Sequence, residues 1–293
     1  MNSKNTIVLH CVRIARMAVV TALWLCLFLS PVSAQTTAEI IAQARWKIYS
    51  IGKGVVIKTS HFDNLLGCPQ DVYVTDADFT TSGVALQFVG ARGVRKPVSA
   101  FASEVPNAAA AINGNWFDYD SNMPIQFTKI GGAVLSQTIH QAQERGGIVI
   151  NKSGKVSCIP CPQEGWASVD EPNVMSSEIP ILVDGKAYVW TASGAPDYDY
   201  YYTNRHPRSC IGVTANHHVL FVVVDGRRND SIGVNYAQMA ELMTTLGAVN
   251  STTLDGGGSS TCWVRGYGVL NKPSEGKERL VADALILVAP GGQ

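Results

Sequence analysis

The chain has 293 residues, with 23 Lys plus Arg, 23 Asp plus Glu and a formal net charge of zero at pH 7. This length can bury a sizeable core as one large domain or two small ones. The charge balance argues against a non-specific nucleic-acid binder, which needs a basic face. Neither a linker-like composition nor a repeat of fixed period divides the chain.

Residues 1–34 are predicted to be a signal peptide. Lys4, Arg13 and Arg16 precede the apolar stretch "MAVVTALWLCLFL", which is shorter than the roughly 20 residues needed to span a bilayer. The following "VSA" has the small-residue cleavage pattern; an uncleaved N-terminal anchor is the alternative. Cleavage after Ala34 would reduce Lys plus Arg from 23 to 20 and give a net charge of −3. We therefore expect an exported protein, periplasmic or secreted, without stable membrane insertion after cleavage.

Residues 35–70 are predicted to form an N-terminal helix and a lead-in to the main domain. Thr36 and Glu39 fit a capping box at the start of the helix. Further on, "DVYVTDADF" and "GVALQFVG" alternate with the period of two that is typical of strands. "PVSAFASEV" predicts a short helix, and the apolar run "AAAAI" follows it.

Two β-hairpins are predicted in the middle of the chain. "RGGIVINKSGKVSCI" turns near Ser153-Gly154, and "PILVDGKAYVW" turns at Asp184-Gly185 as a type I′ turn. Export would permit disulfides, and an odd number of cysteines follows the leader: Cys68, Cys158, Cys161, Cys210 and Cys262. "CIPC" resembles a redox motif but lacks the βαβ context, so we expect a local disulfide or two plain thiols.

The last third of the chain predicts a strand, a helix and a strand. "HVLFVVV" is a continuous apolar run, as in a strand buried on both faces. In "NYAQMAELMTTLG", Asn235 and Gln238 fit a helix start and Gly247 fits a helix end. "STTL" and "LVADALILV" are further strands. We therefore predict an α+β fold: a single domain with mixed β-sheets, one parallel strand-helix-strand crossover near the C-terminus, and an N-terminal helix.

Three apolar strands end in Asp-Gly or Asn-Gly. If the crossover strands are parallel, Asp225 and Asp255 lie at the same sheet edge, where open α/β sheets bind ligands. Asn113 ends "AAAAI" in the same way. Asp-Gly after a strand is often only a turn, and we interpret Asp184 in this way. Asp255 differs, because a hairpin turn does not need the three glycines and two hydroxyl residues that follow it.

The run "LDGGGSS" predicts an anion site. Glycines let backbone N–H groups approach an anion closely, and hydroxyls add donors. The run lacks the Gly-Lys-Ser/Thr of a P-loop. Arginine binds phosphate with a planar fork, so a phosphate-bearing substrate is indicated. The predicted anion-binding residues are Gly256, Gly257, Gly258, Ser259, Ser260, Arg208, Arg227 and Arg279.

Five motifs in order resemble the phosphodiester glycosidase family: "INGNWF", "HPRSCIGV", "VVVDGRRNDSIGV", "AELMTTLGA" and "LDGGGSST", followed by "VLNKPSEGKER". The resemblance implies that residues 71–293 form the catalytic domain. It also implies hydrolysis of a sugar-1-phosphodiester, of the N-acetylglucosamine-1-phosphate kind, at the C1–O bond. Asn115 and Trp116 depart from the family pattern, and Trp116 would reshape the sugar pocket.

We expect Asp225 and Asp255 to be the catalytic pair, activating water and stabilising an oxocarbenium-like centre, without an assignment of which does which. Asn113 and Asn271 would bind sugar hydroxyls or phosphate. The expected partner is a phosphoglycan or sugar-phosphodiester substrate. No motif requires a cofactor, although a divalent cation at the carboxylates is compatible with the pattern. A metal-assisted phosphodiesterase that cuts P–O and a non-catalytic phosphoglycan-binding module are the alternatives.

Overall fold

The computed structural model describes residues 35–137, 145–188, 200 and 202–291. The predicted signal peptide, and the end of the second predicted hairpin from residue 189, lie outside the described residues. From Thr37 onward the chain forms one compact unit. In the described part, the helices are too short or too polar to cross a membrane.

The described chain is 46% strand and 13% helix. The helices are α1 (Thr37–Ala42), α2 (Val98–Ser103) and α3 (Tyr236–Thr245), and short 3₁₀ turns cover Trp166–Ser168 and Gly257–Ser259. The strands are β1 (Lys47–Gly52), β2 (Val55–Leu65), β3 (Cys68–Asp78), β4 (Ala85–Gly90), β5 (Ala108–Asn113), β6 (Thr128–Ile130), β7 (Ala133–Ser136), β8 (Gly146–Ile150), β9 (Val156–Pro160), β10 (Asn173–Ser177), β11 (Pro180–Val183), β12 (Lys186–Ala187), β13 (Arg208–Thr214), β14 (His218–Val224), β15 (Ala248–Thr253), β16 (Cys262–Val264), β17 (Gly268–Val269) and β18 (Asp283–Val288).

The strands form three antiparallel sheets. The first has the order β1-β2-β3-β14-β13-β15-β11-β12, the second β7-β6-β10-β8-β9 and the third β17-β16-β5-β18-β4. Residues 35–70, predicted as a helix and lead-in, contain α1, β1 and β2, and the predicted domain start at residue 71 falls within β3.

The predicted α+β fold with a parallel crossover is wrong, because the structure is mostly β and its three sheets are antiparallel. Helix α3 does connect β14 to β15, but β13 lies between these two strands and pairs antiparallel with both. The difference lies at "RSCIGVT", Arg208–Thr214, where the sequence analysis predicts no strand and the structure has β13. Since β14 and β15 still run in the same direction, both end at one edge of the sheet.

The first sheet separates two cores. In β14, Val219, Phe221 and Val223 pack into a core shared with the second and third sheets. Leu220, Val222 and Val224, on the opposite face, pack against α1 and α3. A strand with apolar neighbours on both faces needs an apolar residue at every position, which explains the continuous run and confirms its predicted burial.

The predicted helix cap and hairpin turn, which depend only on neighbouring residues, are confirmed. Asn235 and Gln238 form a complete capping box at the start of α3, and Gly247 follows that helix with φ of +91°. Asp184 and Gly185 both have positive φ, as a type I′ turn requires.

Candidate active site

A cavity of about 220 Å³ opens beside the glycine run, at the sheet edge where β15 ends. Cationic side chains form one part of its lining, and aromatic side chains form another part, the aromatic wall. The residues that line it are Trp116, Phe117, Tyr119, His206, Arg208, Arg227, Asp255, Gly256, Gly257, Gly258 and Arg279. Five of the predicted site residues do not line the cavity: Asn113, Asp225, Ser259, Ser260 and Asn271.

Asp255 is the carboxylate in the cavity lining. It is 7% exposed, and burial raises its pKa to about 7, against the opposing effects of the Ser259 hydrogen bond and the Arg279 charge. Ser259 Oγ donates to Asp255 Oδ2 at 2.5 Å. A carboxyl that titrates near neutral pH can both accept and release a proton, as acid–base catalysis requires.

The three predicted arginines line the same cavity, each held differently. The Arg208 guanidinium lies 4.0 Å from the centre of the Tyr236 ring. Arg227 Nη2 lies 3.3 Å from His206 Nδ1. Arg279 Nη1 donates to Ser259 Oγ at 3.2 Å, so it reaches the hydroxyl that contacts Asp255.

The glycine run makes room for these guanidinium groups. A Cβ on Gly258 would lie 2.3 Å from Arg279 Nη2, and one on Gly257 would lie 3.0 Å from Arg227 Nη2. Gly257 also has φ of +60°, in the left-handed region. The backbone N–H groups of Gly257, Ser259 and Ser260 donate to backbone carbonyls at 2.9, 3.2 and 3.3 Å. The arginines that cover the glycines therefore supply most of the positive charge facing the cavity.

Asn113 lies behind the cavity, fully buried. Its amide Nδ2 donates to the backbone carbonyl of Asp255 at 2.7 Å. Its Oδ1 accepts from Ser209 Oγ at 2.8 Å and from the Thr261 N–H at 3.2 Å. Both ends of the amide thus bind protein groups that fix the start of the glycine run.

Asp225 follows the end of β14 and does not line the cavity. Only 1% of its surface is exposed. Its Oδ2 accepts from Arg228 Nη1 at 3.0 Å and from the Lys272 N–H at 2.9 Å, and its Oδ1 accepts from Asn271 Nδ2 at 3.0 Å. Asn271 Nδ2 also donates to the Ser260 carbonyl at 2.9 Å. Burial raises the pKa of Asp225, opposed by these hydrogen bonds. Through Asn271 the carboxylate connects two loops that flank the glycine run.

His206, which is not among the predicted site residues, also lines the cavity. Burial, with the Arg208 and Arg227 charges, lowers its pKa to about 4. A neutral imidazole that accepts from Arg227 at Nδ1 carries its proton at Nε2. His206 is therefore a neutral polar group among cations near pH 7.

The aromatic wall is formed by the segment that follows β5. Phe117 and Tyr119 have ring centres 5.0 Å apart, and the Arg95 guanidinium lies 4.8 Å from the Tyr119 ring centre. Trp116, the predicted departure from the family pattern, lines the same wall. Flat apolar faces of this kind can pack against a sugar ring.

Two buried acids near the site were missed by sequence reasoning. Asp283 is fully buried at the start of β18, and burial raises its pKa to about 7. Glu178 is 4% exposed and bonds the Tyr236 hydroxyl, and burial raises its pKa. The sequence signal for Asp283 is its position as the single acid in the apolar run "LVADALILV", which indicates a buried carboxyl group.

The described residues contain no group of three or more His, Cys, Asp or Glu side chains that could hold a metal ion.

The five described cysteines form no disulfide with one another. Cys158 is buried, and burial raises its thiol pKa to about 12.

A family model described as phosphodiester glycosidase matches residues 106–288. The SPbeta prophage-derived uncharacterized protein YomE of Bacillus subtilis (strain 168) is 38% identical over 86 residues, which are 29% of this chain and 13% of that protein. This chain therefore aligns with a small part of that relative.

Three solved structures share the fold. The zebrafish N-acetylglucosamine-1-phosphodiester alpha-N-acetylglucosaminidase catalytic domain, auto-inhibited by its pro-peptide, has a TM-score of 0.65 at 17% identity, covering 84% of this chain and 88% of that one. A hypothetical protein from Synechocystis has a TM-score of 0.67 at 16% identity over 84% of this chain and 64% of that one. A putative exported protein from Burkholderia pseudomallei has a TM-score of 0.57 at 17% identity over 75% and 74%.

Proposed function

The chain belongs to the phosphodiester glycosidase family, and we propose that it hydrolyses a sugar-1-phosphodiester at the C1–O bond. The observation that carries this proposal is the convergence of Arg208, Arg227 and Arg279 with Asp255 in one cavity that the aromatic wall also lines. Such a cavity matches a substrate with an anionic half and a sugar half.

The arginines would hold the phosphate. A phosphodiester carries one negative charge, and the phosphomonoester released by C1–O cleavage carries about one more. Fixed cations interact with one negative charge in the ground state and with a growing second charge in the transition state. They therefore stabilise the transition state more than the ground state. His206 is neutral near pH 7, so it adds a hydrogen-bonding group without a further charge.

Asp255 would act as the general base. Its carboxylate would take a proton from water while the water oxygen bonds to C1, and the C1–O bond would break with its electron pair moving to the phosphate oxygen. A phosphate monoester is a good leaving group when its charge is held, so a second carboxyl is not needed to protonate it. A pKa of about 7 suits a base near neutral pH. Direct attack by water would invert the configuration at C1.

Asn113, Asp225 and Asn271 would position the site without contacting the reacting atoms. Asn113 holds the Asp255 carbonyl, and Asp225 binds Asn271, which holds the Ser260 carbonyl. This division replaces the predicted pair of catalytic aspartates with one carboxylate in the cavity and one that supports the loops around it.

We also propose that the protein acts after export, in the periplasm or outside the cell. The leader-like pattern of residues 1–34 supports this proposal. A sugar-phosphodiester or phosphoglycan would be the substrate there.

Hydrolysis in oxygen-18 water tests the reaction. The chain is incubated with N-acetylglucosamine-1-phosphomethyl diester, and label is expected in the free sugar, next to an unlabelled phosphomonoester, with inverted configuration in the first NMR spectra. Asp255→Asn should lose turnover by several orders of magnitude. Asp184→Asn, the same change in an exposed turn, is the matched control and should retain activity.

Each other result has a distinct meaning. Label in the phosphate would indicate P–O cleavage by a phosphodiesterase. Binding of the diester without turnover would indicate a phosphoglycan-binding module. Retention of configuration at C1 would indicate that Asp255 acts as a nucleophile and not as a general base.

A further inference from the structure

The Arg208 side chain lies along the segment that begins helix α3. Its Nε donates to the Val234 carbonyl at 3.2 Å, and its guanidinium carbon lies 4.0 Å from the centre of the Tyr236 ring. Asn235, between these two residues, is the N-cap of α3 and forms a complete capping box. The start of the helix therefore places a carbonyl acceptor and an aromatic face against one arginine side chain.

Both members of this cation–π contact are buried. Arg208 and Tyr236 are each 3% exposed, although Arg208 also lines the cavity. A guanidinium group over an aromatic face is attracted by the ring quadrupole, and the attraction is stronger where water is excluded. A Cβ on Gly256 would lie 3.8 Å from Arg208 Nη1. The guanidinium group that contacts the ring therefore also lies beside the glycine run.

Glu178 holds the hydroxyl end of the Tyr236 ring. Its Oε2 accepts a hydrogen bond from the Tyr236 hydroxyl, and Glu178 is buried and does not line the cavity. It lies between β10 and β11, so the hydrogen bond joins the start of α3 to a connection between the second and first sheets. The ring is thus fixed at its hydroxyl end as well as through the helix backbone.

We propose that Tyr236 is a positioning residue whose ring holds the Arg208 guanidinium group at the cavity. The inference rests on the proposed function only where it has Arg208 bind the phosphate of the substrate. Tyr236 does not line the cavity, so its effect on a ligand is exerted through Arg208. A guanidinium group that is held before the ligand arrives loses less conformational freedom on binding, which raises the affinity.

Two substitutions at Tyr236 separate the role of the ring from the role of its hydroxyl. Tyr236→Phe keeps the aromatic face and loses the hydrogen bond to Glu178, whereas Tyr236→Leu loses both, so both variants should have a lower Tm. In calorimetric titration with N-acetylglucosamine-1-phosphate, Tyr236→Leu should bind about 5- to 30-fold more weakly than the wild type, as expected for a lost buried cation–π contact. Tyr236→Phe should bind with near-native affinity.

A double-mutant cycle tests whether the effect passes through Arg208. Arg208→Gln should weaken binding by itself. Adding Tyr236→Leu should then change the affinity by less than about twofold, because the charge that the ring contacts is already gone.

Tyr49→Leu is the matched control. Tyr49 is also buried, and its ring also contacts a cation, with Lys47 Nζ 4.9 Å from the ring centre. Lys47 does not line the cavity. This substitution should therefore lower Tm and leave the affinity for N-acetylglucosamine-1-phosphate unchanged.

Proton NMR of the Arg208 side chain tests the contact without any ligand. The Arg208 Hε resonance, assigned from its own backbone, should show an upfield ring-current shift in the wild type, because the guanidinium group lies over the Tyr236 ring. The shift should persist in Tyr236→Phe and disappear in Tyr236→Leu.

Three results would overturn the proposal: equal affinity for N-acetylglucosamine-1-phosphate in Tyr236→Leu and Tyr236→Phe, an undiminished effect of Tyr236→Leu in the Arg208→Gln background, or a wild-type Arg208 Hε resonance at the position of an unstructured arginine. The last measurement needs no variant and holds even if Tyr236→Leu does not fold. A protein that shows the expected affinities but hydrolyses no diester would refute the proposed function and keep the role of Tyr236.

Discussion

Alanine substitutions in the glycine run should separate binding from stability. In Gly258→Ala the new Cβ would lie 2.3 Å from Arg279 Nη2 and 2.3 Å from Glu275 Oε1. These atoms end flexible side chains, and Gly258 has no positive φ, so the ion pair can move aside at little cost to folding. In Gly256→Ala the Cβ would lie 2.8 Å from the Pro207 backbone carbonyl, which cannot move without shifting the chain.

The expected magnitudes follow from these contacts. If Arg279 binds the phosphate as proposed, moving it off the cavity would remove a charged hydrogen bond worth about 1.5–3 kcal/mol. That corresponds to a loss of about 10- to 150-fold in the affinity for a phosphate-bearing ligand, since about 1.4 kcal/mol is tenfold. Overpacking at Gly256 should cost about 1–3 kcal/mol of stability, or about 2–4 °C of Tm for each kcal/mol.

The assay is calorimetric titration with N-acetylglucosamine-1-phosphate, paired with thermal unfolding of each variant. Gly258→Ala should bind weakly at a near-native Tm, and Gly256→Ala should unfold at a lower temperature. Gly291→Ala, where the added Cβ meets no atom within 4 Å, is the control. Native affinity in Gly258→Ala would refute the view that the glycine is there to admit Arg279.

Two further predictions concern residues outside the cavity. Asp225→Asn should lower stability by about 1–3 kcal/mol, because the partly buried donors of Arg228 and Lys272 lose the charged oxygen that they share; a native Tm combined with lost turnover would instead give Asp225 a direct chemical role. A folded Cys158→Ser, Cys161→Ser double variant should retain turnover because neither thiol lines the cavity, and loss of activity at native Tm would contradict this.

Local structure could be predicted because its causes lie within a few residues. The capping box of α3 needs only Asn235 and Gln238, and the hairpin turn needs only Asp184 and Gly185. The order of strands in the first sheet could not be predicted, because it depends on where β13 inserts between two strands far from each other in sequence. Pairing of that kind is decided by contacts across the sheet, and the β13 sequence has no alternation that would reveal it.

The cationic part of the site was visible in the sequence, and its buried part was not. Arg208, Arg227 and Arg279 were selected because guanidinium groups near a glycine run suggest an anion, and they line one cavity. The acid in "LVADALILV", Asp283, is a single charge in an apolar strand pattern; that pattern signals a buried acid but does not indicate what the acid does. Burial raises its pKa, and burial depends on the packed structure and not on neighbouring residues.

The two strand-end aspartates show why a shared sheet edge does not imply a shared role. β14 and β15 run in the same direction, so Asp225 and Asp255 both follow strands that end at one edge. After Asp225, the Arg228 N–H and the Ser231 carbonyl pair at 3.1 Å in a return turn, and Arg228 folds back onto the carboxylate. After Asp255 come three glycines, and Ser259 donates to its Oδ2, while the Asp255 side chain still lines the cavity. The residues that follow each strand therefore differ in what they leave accessible: Asp255 lines the cavity and Asp225 does not, and this difference supports the proposal that Asp255 is the base.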